Sequence, residues 1–148
     1  MPADTATIKH LIETVEDGKA GFEKGAEKLE SSSQPDLAAR FRRFSAQRAA
    51  FSTELRSLAA SRGEAIDESG SMAGALHRGW LSLKDALSGS DPHGVLDAAE
   101  QGEDHAVKEY KDALDSDLSP DVRQVVARQF TQVVAAHDEV RAVRAATR

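Results

Sequence analysis

The chain has 148 residues, enough for one domain that buries a core without covalent staples. It has no cysteine, which excludes disulfides and thiolate metal sites. Its formal net charge of −6 and pI near 5.4 count against nucleic acid as a partner, because phosphate binding calls for a basic surface.

No run of apolar residues is long enough to cross a bilayer, and the opening MPADTATIKHL lacks the basic-then-apolar pattern of a signal peptide. A cytoplasmic protein without a membrane partner is therefore expected. Alanine is abundant, while β-branched and aromatic residues are too sparse to alternate as strands. The composition favours helices.

Five segments carry apolar residues every three or four positions. The first, 4–30, has the stripe Ile8, Leu11, Val15, Gly18, Phe22, Gly25, Leu29. The second, 35–61, has Leu37, Phe41, Phe44, Phe51, Leu55, Leu58. A shorter third, 72–87, shows Met72, Leu76, Trp80, Leu83, Leu87. The fourth, 92–115, has Leu96, Ala99, Ala106, Tyr110, Leu114, and the last, 120–146, has Val122, Val126, Val133, Val140, Val143. Ser119-Pro120-Asp121, Asp91-Pro92 and Gln34-Pro35-Asp36 each place a proline at the first helical position, where its missing N–H costs nothing. Gly63 and Gly89 stand where helices should stop. The links 31–34 and 116–119 are short, so they predict two antiparallel hairpins; 62–71 reads as a loop.

An internal repeat supports two hairpins. Shifting 35–60 by 85 residues onto 120–145 pairs Pro35/Pro120, Asp36/Asp121, Arg43/Arg128, Gln47/Gln132, Ala50/Ala135, Glu54/Glu139, Arg56/Arg141 and Ala60/Ala145. Chance would give roughly two identities over such a window. The expected architecture is all-α, one domain over 1–148: an antiparallel four-helix bundle with an extra short helix between the second and third bundle helices. Two related hairpins joined by a long middle connection make a ferritin-like plan.

The strings LIETVEDGKAGFEKGAE, FSAQRAAFSTEL, GSMAGALHRGWLSLKDAL, EQGEDHAVKEYKDAL and AAHDEVRAVR resemble a bacterial family of ferritin-like four-helix-bundle proteins defined by a domain of unknown function. The likeness runs from Ile8 to Arg144, and the middle string is its most specific part. It implies the ferritin-like fold and brings no activity with it.

Ferritin-like enzymes hold two iron or manganese ions with a Glu from each of two helices and Glu-x-x-His from the other two. Here the corresponding pairs are Gln47-x-x-Ala50 and Gln132-x-x-Ala135, in which the amide is a weak ligand and alanine is none. A di-iron or di-manganese centre would have to be assembled from Glu16, Glu100, Glu103 and His137. The stripes suggest another centre. Arg48 falls between Phe44 and Phe51, Glu103 between Ala99 and Ala106, and Gln129 between Val126 and Val133. Arg48, Glu103 and Gln129, with Glu100, Gln47 and Gln132 nearby, would form a polar bundle centre without metal, the guanidinium satisfying a carboxylate bidentately.

Of the remaining residues, His10 and His105 are expected on solvated faces, His93 at a helix start, His77 beside the Trp80 stripe, and Trp80 in the core. Gly18, Gly21, Gly25 and Gly102 lie inside helices at a cost of about 1 kcal/mol each against alanine, which suggests close approach or a docked partner. No nucleophile triad or phosphate loop is present. The favoured reading is a non-enzymatic ferritin-like helical protein with no cofactor, a stress-related or interaction protein that self-associates through an apolar face. "Stress-related" rests on the resemblance alone. The alternative is a di-metal carboxylate protein, ferroxidase-like or iron-handling.

Overall fold

The computed structural model describes residues 4–63, 78–89 and 91–147, and of Arg78 the backbone only. Those residues form helices and connecting turns, with no strand among them. The helices are α1 (Asp4–Ser31), α2 (Pro35–Ser61), a 3-10 turn (Arg78–Trp80), α3 (Leu83–Ser88), α4 (Pro92–Leu114) and α5 (Pro120–Ala146). No helix among the described residues is long and apolar enough to cross a membrane.

The four long helices lie where the 3.6-residue period puts them, and their ends follow the local chemistry. Asp91 caps α4 by accepting from the His93 N–H at 3.0 Å. Gly63 follows α2 with φ +80°, the left-handed conformation that glycine enters without a Cβ penalty. Ser119 departs from expectation. It occupies the N-cap position of α5, yet its hydroxyl makes no cap hydrogen bond. Instead it donates to Asp4 Oδ2 at 2.5 Å, while its N–H donates to Asp4 Oδ1 at 2.9 Å. Arg62 Nη2 also reaches Asp4, at 2.6 Å. The start of α1, the end of α2 and the start of α5 are thereby tied at one carboxylate.

Cross-helix contacts fix the directions. Gly18 lies against Arg48 and Gly25 against Phe41, so α1 and α2 are antiparallel. Gly25 against Val95 and His10 against Glu109 make α1 and α4 antiparallel. His137 with Asp104 and Arg144 with Asp97 do the same for α4 and α5. Arg43 with Glu139 and Arg62 with Asp121 do it for α2 and α5. Hence α2 and α4 run the same way, and the chain joins them through residues 62–91.

The described part of that connection packs on α4 and α1. The sequence predicts one helix over 72–87. The structure instead has a 3-10 turn and a six-residue helix between Arg78 and Ser88, separated by Leu81 and Ser82. Met72, Leu76 and His77 lie outside the described residues. Trp80 and Leu83 are buried, as the stripe requires.

The apolar interior is divided in two. One cluster contains Ile8, Leu11, Val15, Phe51, Leu55, Ala106, Tyr110, Val122 and Val126. The other contains Phe22, Leu29, Phe41, Phe44, Trp80, Leu83, Leu96, Ala99 and Val140. The residues between them on α1, α2 and α4 are Gly18, Arg48 and Glu103. The break in the core is the place to look for chemistry.

Candidate functional site

Arg48 and Glu103 occupy stripe positions where the helical period demands burial, and they are 1% and 0% exposed. Arg48 Nη1 donates to Glu103 Oε1 at 2.6 Å and Nη2 donates to Oε2 at 2.8 Å. This is a two-pronged guanidinium–carboxylate match, the geometry that best compensates desolvation. The third face of the guanidinium is also used, Nε donating to Gln47 Oε1 at 3.2 Å. Its carbon lies 5.5 Å from the Phe22 ring centroid. Gly18 supplies the room, since a Cβ there would stand 3.2 Å from Arg48 Nη1. Burial works against the Arg48 charge, but the adjacent Glu103 carboxylate outweighs it and raises the pKa further.

A second hydrogen-bonded run lies toward the α5 start. Tyr110 OH donates to Gln129 Oε1 at 2.7 Å, and Gln129 Nε2 donates to Glu54 Oε1 at 2.8 Å. Arg128 holds the other Glu54 oxygen. Tyr110 is fully buried, and burial pushes its phenol well above the ordinary tyrosine range. It therefore stays neutral and donates.

The two sets of sequence-proposed residues fare differently. Arg48, Glu103 and Gln47 are joined directly, and Gln129 is buried but bonds to Tyr110 and Glu54. Gln132 lies across the α2–α5 seam from Gln47, in a cleft also lined by Phe44 and Ala136. Glu100 leaves this centre and faces Arg144 at 3.3 Å. The four residues of the di-metal alternative do not converge. Glu103 is held by Arg48, Glu100 by Arg144, Glu16 lies 3.9 Å from Arg56, and His137 Nε2 pairs with Asp104 at 2.6 Å. No group of three or more His, Cys, Asp or Glu residues able to hold a metal ion occurs among the described residues. Each of the three carboxylates instead lies beside an arginine of a neighbouring helix.

His105 corrects another expectation. It is not on a solvated face: its side chain is 24% exposed and its Nε2 is buried without a hydrogen bond among the described residues, Glu109 Oε1 standing 3.8 Å away. The close approach of Gly79 to its Cβ explains this, because the turn before α3 covers that side of α4. The helical glycines are likewise filled from within the chain. Gly21 and Gly102 flank the Trp80 ring and Gly25 receives Phe41.

Sequence reasoning missed Tyr110, Glu54 and Asp104 as polar partners. For Glu54 a signal existed. The repeat equates Arg43 with Arg128 and Glu54 with Glu139, and crossing those equivalences gives the two observed bridges, Arg43–Glu139 and Arg128–Glu54. The two repeated helices thus face each other across an approximate two-fold axis, and the buried polar residues break it: the repeat mate of Arg48 is Val133 and that of Gln129 is Phe44.

Residues 4–116 match the family model for DUF2383, a domain of unknown function. The chain belongs to this family. The match takes in Arg48, Glu103 and Tyr110 and ends before α5, so Gln129, Gln132 and His137 lie beyond it. No match was found among curated proteins.

Proposed function

We infer that this chain is a non-enzymatic ferritin-like four-helix bundle in which the Arg48–Glu103 pair occupies the position of a metal centre. One observation carries the reading: both oxygens of Glu103 are taken by Arg48 at full burial. A cation entering there would meet a fixed guanidinium, and an ion cannot displace it without leaving a buried charge unpaired, which is strongly unfavourable. The up-down-down-up order of α1, α2, α4 and α5, with its long middle connection, supports the ferritin-like assignment.

The role that fits such a centre is that of a cytoplasmic scaffold or interaction protein, the pair fixing how α2 and α4 register. Self-association within this role would use polar contacts, because Leu81 is the one large apolar side chain exposed among the described residues.

The test is metal analysis of protein purified without a metal-binding tag, before and after loading with Fe(II) or Mn(II), together with an Fe(II)-oxidation assay. The reading expects far less than one ion per chain and no oxidation above buffer. Stoichiometric retention of two ions per chain would instead establish the di-metal alternative.

A further inference from the structure

Trp80 is seated in a slot that the long helices leave open for it. A Cβ on Gly21 of α1 would stand 2.2 Å from Trp80 Cε3, and a Cβ on Gly102 of α4 would stand 2.2 Å from Trp80 Cε2. Real Cβ contacts are never that short, so the indole fits only because both helices carry glycine at facing positions. Phe22 closes the slot with an edge contact, ring centroids 4.9 Å apart.

The segment that carries this ring is bonded to itself. Outside regular helix, its described backbone hydrogen bonds run from Lys84 N–H to Leu81 C=O, Ala86 N–H to Ser82 C=O and Gly89 N–H to Ala86 C=O. None of these reaches a long helix. Among the described side chains, Ser82 Oγ donates to Gln101 Oε1 at 2.8 Å, and Trp80 and Leu83 are buried. Beneath it α1 and α4 touch each other directly. The first apolar cluster contains no residue of this segment.

We propose that residues 78–88 are a strap that docks and undocks as a unit on the folded four-helix body, with Trp80 as its plug. Contiguous segments of a folded protein open as cooperative units below the global unfolding free energy, and this one lies outside a four-helix body whose α1 and α4 already touch. Docking matters to the centre because Gly102 adjoins Glu103, and Phe22 lies against both Trp80 and Arg48. The docked strap keeps water from the α1–α4 seam beside the buried ion pair, and undocking admits it.

Urea titration of the intact protein, read by Trp80 fluorescence and by far-ultraviolet circular dichroism, tests this. Trp80 is the sole tryptophan, so its emission reports the strap alone. The emission should shift red and become quenchable by acrylamide at lower urea than the loss of helix. Coincident transitions would overturn the proposal, whatever any variant does. Gly102→Ala supplies the second arm, since its methyl collides with the indole while alanine favours the helix. It should release Trp80 and keep the helical signal and a cooperative melt. If helix is lost along with Trp80 burial, or Trp80 stays buried, the strap is not a separable unit. Arg48→Met should lower the melting temperature less in the Gly102→Ala background than in wild type, and equal losses would show that the strap does not shield the pair.

Discussion

Arg48 and Glu103 are joined by parallel hydrogen bonds of 2.6 and 2.8 Å between α2 and α4, which run in the same direction. These helices share no short link, so the pair is a direct tie across the middle of the interior. Removing one partner leaves a buried charge. Arg48→Met or Glu103→Leu alone should cost roughly 3–5 kcal/mol, whereas the double substitution should cost much less. Chemical denaturation of the three variants gives the coupling; near-neutral single variants would deny the pair its structural role.

His137 should confer a stability that fades as pH rises. Burial works against its charged form, but the carboxylates of Asp104, at 2.6 Å, and Asp138, at 3.3 Å, prevail and raise its pKa above the usual 6.5. The contribution is complete below the unfolded-state value and is lost as pH climbs through the higher folded-state value. Unfolding free energies of wild type and His137→Gln should therefore converge as pH rises above the unfolded-state pKa of about 6.5. A gap that stays constant over that rise would contradict the assignment.

Asp4 works in the opposite direction. Burial opposes its ionisation, yet the hydroxyl and N–H of Ser119 and the Arg62 guanidinium together hold the carboxyl below the usual carboxylate range. The stability it contributes is present above the unfolded-state pKa and is lost as pH falls through the lower folded-state one. Asp4→Asn should lower the melting temperature at neutral pH and converge on wild type in acid. A loss that grows in acid would show that the carboxylate is not what ties α1 to α5.

Gly25 separates close packing from helix propensity. A Cβ there would stand 2.9 Å from Phe41 Cδ2 and 3.2 Å from Val95 Cγ1, both core atoms with little freedom to move. Alanine gains about 1 kcal/mol of propensity, and overpacking of this kind costs about 1–3 kcal/mol. Gly25→Ala should destabilise on balance. A rise in melting temperature would mean that the α1, α2 and α4 contact is looser than the structure shows.

The buried phenol offers a test in the other polar run. Tyr110→Phe removes the donor to Gln129 and leaves a buried amide oxygen with one bond fewer, a loss of about 1–3 kcal/mol. Tyr110→Phe combined with Gln129→Leu should recover part of that loss, as both ends of the bond are then apolar. Strict additivity in a double-mutant cycle would show the two side chains to be uncoupled.

The sequence by itself determined the four long helices to within a residue at their ends, because apolar spacing, prolines at first helical positions and short polar links are local signals. It also placed Arg48, Glu103 and Gln129 inside, since a stripe position on a long amphipathic helix has nowhere else to point. Tertiary structure alone decided which charges met. Glu100, one turn before Glu103, goes to Arg144, and His137 turns to Asp104 at the α4–α5 seam. Those choices depend on the rotation of each helix about its axis, set by the summed packing of all neighbours and by no local signal. The same holds for Trp80. Its burial was legible, but the facing glycines, 81 residues apart, become one slot only when α1 and α4 lie side by side.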